Sequence, residues 1–113
     1  MQPNTKACVA YIAGCSTSGK NSSSIYDYDQ GKYINISGSV SSMQANIYDH
    51  DRGCYVQGQL GNLYDYGVGS HIQLKINGNQ FSGYDYNSGT HFQGSVNGNN
   101  ITFYANGYSN YSI

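Results

Sequence analysis

The residues able to do chemistry in this chain are few, and most of them fall into a pattern. The histidines are His50, His71 and His91, the carboxylates are Asp27, Asp29, Asp49, Asp51, Asp65 and Asp85 with no glutamate, and the cysteines are Cys8, Cys15 and Cys54. Acid/base hydrolysis needs two carboxyls in different environments converging on one spot. Here four of the aspartates occupy equivalent places in a repeat, which explains them without chemistry. Asp27-Tyr28-Asp29 and Asp49-His50-Asp51 set alternate oxygens ahead of a glycine, as calcium loops do. Gly67 and Asn87 replace the second aspartate in the other copies, however, and the late glutamate of an EF-hand is missing. Capping of turn amides is the better account. His71 and His91 stand where tyrosine stands in other copies, which marks a structural slot rather than a unique base. No serine or cysteine sits in a nucleophile context such as G-x-S-x-G. The sequence therefore points to no catalytic residue, no metal ligand and no cofactor, with a small hydrolase using the rim aspartates as the weaker alternative.

Those aspartates belong to a phrase that recurs down the chain: an apolar or small residue, Tyr-Asp, and a glycine four places after the aspartate. It reads Ile25-Tyr26-Asp27…Gly31, Ile47-Tyr48-Asp49…Gly53, Leu63-Tyr64-Asp65…Gly69 and Gly83-Tyr84-Asp85…Gly89, and Phe103-Tyr104-Ala105 is a decayed fifth copy. The tyrosines step by 22, 16, 20 and 20 residues, about one β-hairpin each. A unit of that size buries its apolar face only against its neighbours. Within it, the glycine supplies the positive φ of a tight turn and the aspartate accepts from turn amides. Turn signals at Ser41-Ser42, Gly61-Asn62, Asn77-Gly78-Asn79 and Asn97-Gly98-Asn99 end the hairpins on the opposite side. The expected fold is all-β: an up-and-down antiparallel meander of about 8–10 short strands over residues 25–113. Closure into a small barrel is favoured over a two-sheet sandwich, because it removes exposed edges.

Period-two reading separates two faces. Ile34, Ile36, Val40, Ala45, Ile47, Val56, Leu60, Ile72, Leu74, Ile76, Phe92, Val96, Ile101 and Phe103 share the core side, and Cys54 joins them beside Val56. The other side carries tyrosines interleaved with Gln, Asn and His. Its candidate ligand-binding residues are Tyr48, Tyr55, Tyr64, Tyr84, His71, His91, Gln73 and Gln93, expected to form a continuous solvent-facing band.

The first 24 residues are a different kind of sequence. Residues 1–6 are polar with one lysine, Ala7 to Ala13 is a short apolar run, and residues 16–24 read as a Ser-rich linker. Ile12-Ala13-Gly14-Cys15 resembles the lipobox of bacterial lipoproteins: aliphatic, small, small, then the cysteine that is lipidated. The resemblance implies a signal segment over 1–15, lipidation at Cys15, and export to a bacterial outer membrane through a lipid anchor, or secretion. It departs from the usual pattern in Cys8, Tyr11 and Pro3 and in the minimal length of the apolar run. Two other readings of the residues stand beside it: a Cys8–Cys15 disulfide, or a strand over Val9 to Ala13.

Composition narrows the function classes. Charged residues make up 10% of 113, the net charge is −1, and Lys6, Lys20, Lys32, Arg52 and Lys75 are scattered, which argues against nucleic acid. A tyrosine face with amides suits a carbohydrate or a protein ligand, since rings give contact area at low entropic cost and amides pair with hydroxyls. The competing class is a self-associating structural surface protein, favoured by low charge and a single proline. Cross-strand tyrosine pairs that simply hold the sheet together suffice to account for most of the pattern under either class.

Overall fold

A computed structural model describes residues 1–113. Helix α1 (Pro3–Ser18) is followed by ten strands: β1 (Ser24–Asp27), β2 (Lys32–Val40), β3 (Gln44–Asp49), β4 (Cys54–Gln59), β5 (Asn62–Asp65), β6 (Ser70–Asn77), β7 (Gln80–Asp85), β8 (Thr90–Asn97), β9 (Asn100–Tyr104) and β10 (Tyr108–Ser112). Each strand pairs antiparallel with its sequence neighbours, and β1 also pairs with β10, so the meander closes as an up-and-down barrel. The seam is short, with Tyr26 opposite Ser112 and Asp27 opposite Tyr111.

The repeat builds one rim of this barrel. In each Asp-x-x-x-Gly turn the glycine N–H donates to the aspartate carbonyl, at 2.7 Å for Gly53 to Asp49 and 2.9 Å for Gly89 to Asp85. The chain can close so tightly because these glycines are left-handed, at φ 71° for Gly53 and φ 66° for Gly89. Asp49 Oδ1 accepts from the amides of Asp51 and Arg52, and Asp27 Oδ1 likewise from Asp29 and Gln30.

The expected faces are the observed ones. Ile34, Ile36, Ile47, Val56, Ile72, Leu74, Phe92, Ile101 and Phe103 are buried inside the barrel, while Asn35, Asn46, Gln59, Gln73, Lys75 and Gln93 face outward. An apolar interior with a polar exterior is the reverse of a membrane-spanning barrel. No helix of the chain is long and apolar enough to cross a membrane.

The N-terminal segment fills the barrel. Residues Ala7 to Ala13 of α1 are wholly buried, in one cluster with the inward side chains of the strands. Ten strands enclose more space than their own side chains fill, since about eight make an interior just wide enough for that. A helix is about 10–12 Å across with its side chains. Small residues let this one fit: Gly14 lies so close to the wall that a Cβ there would meet Ile101 Cδ1 at 2.7 Å and Ile113 Cδ1 at 2.9 Å. Without a charged side chain from Ala7 to Cys15, the helix is buried on all sides over that stretch.

Two expectations are corrected by this arrangement. The helix spans Pro3–Ser18, across the boundary read at residue 15, and its Ala7–Ala13 run lies inside the barrel. Val9 to Ala13 is helical, not a strand. Cys8 and Cys15 are free, because seven residues of helix set them about 10 Å apart along the axis, beyond the reach of a disulfide at about 7 Å.

Candidate functional site

Two polar regions lie at opposite sides of the barrel wall, one inside the rim and one on the outer face. The inner one surrounds the helix N-terminus. Asp27, Asp49, Asp65 and Asp85 are each no more than 1% exposed. Arg52 spans two of them, with Nε 2.6 Å from Asp49 Oδ2 and Nη1 3.1 Å from Asp65 Oδ2. Burial works against the guanidinium's charge, but the two carboxylates hold it protonated more firmly than usual. From the helix, Thr5 Oγ1 donates to Asp65 Oδ2 at 2.7 Å, and Asn4 Nδ2 donates to Asp49 and Asp51. The first turn of α1 has no acidic residue of its own. The rim carboxylates supply the negative charge that a helix N-terminus favours. Asp85 is tied within its own turn, accepting from the Asn87 amide and the Ser88 hydroxyl. These carboxylates therefore hold turns and helix together. Burial also raises the thiol pKa of Cys8, well above the ordinary range, and of Cys15.

The outer region is aromatic. In each hairpin the repeat tyrosine meets two rings edge-on: the residue two places later, and its cross-strand partner. Tyr26 meets Tyr28 and Tyr33, Tyr48 meets His50 and Tyr55, Tyr64 meets Tyr66 and His71, and Tyr84 meets Tyr86 and His91. Centroid separations of 4.6–4.8 Å lie in the favourable edge-to-face range. The decayed copy keeps a pair, Tyr104 with Tyr108. The central tyrosines 48, 64 and 84 are half-buried by their flanking rings, whereas Tyr55, His71, His91, Gln73 and Gln93 are exposed.

All eight candidate residues thus lie outward, but the band is not an unbroken run of rings. Because the strands are staggered, Gln57 stands opposite Tyr64 and Gln73 opposite Tyr84. Ring clusters therefore alternate with amides around the barrel. Tyr48 and Tyr55 form one cluster, Tyr64 and His71 the next, and Tyr84 and His91 a third flanked by Gln73.

Two adjoining hollows open on this face over β6–β10. One, of about 500 Å³, is lined by Lys75, Gln80, Gln93, Thr102, Tyr104 and Tyr108 among others. The second, of about 650 Å³, includes Gln73, Tyr84 and His91 and shares Lys75, Ser82 and Gln93 with the first. Both fall within the usual size of ligand pockets, about 300–1,000 Å³. Of the lining residues, Gln73, Gln93, Tyr84 and His91 are candidates expected from the sequence, whereas Lys75 and Tyr108 are not. Strand register is the missing signal. Lys75 faces Ser82, Ser82 faces Gln93, Gln93 faces Tyr104 and Tyr104 faces Tyr108, one row across five strands.

Compared with protein families, with curated proteins and with solved structures, the chain matches none.

Proposed function

We propose that this chain is a non-catalytic binding module whose ligand is carbohydrate, held on the outer face of the barrel. The observation that carries the reading is the alternation of exposed ring clusters with amide side chains beside two open hollows whose walls mix polar and apolar surface. Rings lie against the apolar faces of sugars, and Gln73 and Gln93 amides, with nearby hydroxyls, pair with sugar hydroxyls. The interior offers no comparable surface, since α1 occupies it. The buried carboxylates are already engaged with turn amides, Arg52 and the helix.

Self-association is the second reading, and closure of the sheet weighs on it. A closed barrel has no unpaired strand edge to template addition of another copy. Assembly would have to use lateral contacts of the tyrosine face. A glycan-array screen run beside light scattering separates the two: specific retention of a sugar by a monomer supports the module. Growth of mass with concentration, with no glycan retained, replaces it with assembly.

The lipobox-like resemblance of Ile12 to Cys15 meets a physical condition here. Cys15 is 2% exposed within the barrel, and cleavage before it would remove the buried run Ala7 to Ala13. The domain proposed here is built from the whole chain. An export route through a Cys15 anchor requires a barrel that stands without its helix. Mass spectrometry of the protein expressed in a bacterium decides between intact chain and lipidated Cys15.

A further inference from the structure

We infer that the row Lys75–Ser82–Gln93–Tyr104–Tyr108 is the principal sugar subsite and that it selects an acidic glycan, one bearing a carboxylate or sulfate. The inference rests on the carbohydrate-binding reading above and adds to it the place and the charge of the ligand.

Lys75 provides the charge argument. Among the five cationic side chains, Lys6 reaches Ser109, Lys20 reaches Asn99, Lys32 pairs with Asp51 and Arg52 spans Asp49 and Asp65. Lys75 alone makes neither a hydrogen bond nor an ion pair, and it is exposed at the boundary of both hollows. None of the six aspartates lines either hollow. The surface around Lys75 is therefore locally positive on a chain whose net charge is −1. An ammonium that its own protein leaves unneutralised, among neutral donors and acceptors, is matched by an anionic group on the ligand.

Register provides the length argument. The row crosses five adjacent strands at about 4.8 Å each, so its ends lie about 19 Å apart. The ammonium stands at one end and the Tyr104–Tyr108 ring pair at the other, with Ser82 and Gln93 between. A ligand meeting both ends must extend over several sugar units, with its anion at the β6 end and a sugar face against the rings at the β9–β10 end. A single monosaccharide spans one end only.

Calorimetry on the purified full chain tests this with three probes: an oligogalacturonate for carboxylate, a sulfated galactan oligosaccharide for sulfate, and cellohexaose as the neutral control. The expected result is tighter binding of one or both acidic probes than of cellohexaose, weakening as salt rises. Lys75→Gln should weaken the acidic probe by about tenfold or more, with Lys75→Arg largely restoring it. Tyr104→Ala should weaken acidic and neutral probes alike. Which acidic probe is preferred identifies the anion. Acidic binding that Lys75→Gln leaves unchanged would place the subsite elsewhere and overturn the inference. Equal binding of cellohexaose and both acidic probes would overturn the charge selection while leaving the binding module standing. No heat and no retention with any probe would overturn module and subsite together.

Discussion

Ile12 separates a core helix from a removable leader. Its side chain is fully buried inside the barrel. Replacing it with alanine removes apolar atoms from the centre of the fold and leaves a cavity that the wall is poorly able to close. Burial loss and cavity together cost about 2–5 kcal/mol for such a change in a packed core. The wall here is hydrogen-bonded around its full circumference, which limits collapse and places the expectation at about 3 kcal/mol or more. At about 2.1 cal/mol/K of unfolding entropy per residue, a chain of 113 residues loses about 4 °C of melting temperature per kcal/mol, so a drop of about 12 °C is expected. The assay is urea and thermal unfolding of the full chain followed by circular dichroism. Met43→Ala serves as the control, because Met43 is 77% exposed and should change stability by no more than about 0.5 kcal/mol. If Ile12→Ala melted within about 2 °C of the parent protein, the helix would not be part of the cooperative core, and the reasoning would fail.

Four further outcomes are expected. Gly83→Ala should destabilise by about 2 kcal/mol or more in urea titration, because its Cβ would sit 1.9 Å from the Gln73 carbonyl oxygen and 2.5 Å from the Phe92 ring. Asp65→Asn should cost about 3 kcal/mol in the same assay, since it leaves Arg52 short of one buried carboxylate, while Asp85→Asn, with only turn partners, should cost under about 1 kcal/mol. Burial raises the phenol pKa of Tyr11 and Tyr111 above the ordinary 10.0. The unfolded chain ionises these groups first, so their contribution is fully present below pH 10 and is lost as pH rises beyond it, and two phenolates should appear only together with unfolding in an alkaline titration. All three cysteines should titrate as free thiols in denaturant, with Cys8 and Cys15 unreactive in the native protein.

The strand repeat made the barrel legible, because a Tyr-Asp-x-x-x-Gly turn fixes hairpin length and a period-two pattern fixes which side faces inward. Tyr48, Tyr64 and Tyr84 could be placed outward on that ground alone. The helix was hidden by a real degeneracy. A seven-residue apolar run with small residues, Ala7 to Ala13, has the composition of both a signal core and a buried helix. Two residues suit the helix seen here: Pro3, at home in the first turn of a helix, and Gly14, whose lack of a side chain suits contact with a wall. The inward volume of ten strands was the other clue, since their own side chains do not fill it. The Lys75 row was invisible for another reason. Cross-strand neighbours such as Gln93 and Tyr104 are set by register, and a closed, staggered barrel shifts that register from one hairpin to the next.

The claim that the outer face of β6–β10 is the binding surface is tested most directly by mapping amide shifts in nitrogen–proton correlation spectra as an acidic oligosaccharide is added. Saturable shifts are expected, centred on Lys75, Ser82, Gln93, Tyr104 and Tyr108, fading toward Gln73 and Tyr84 and absent around β2 and β3. Saturable shifts confined to the β2–β3 side, or none at all with any acidic or neutral oligosaccharide, would contradict it.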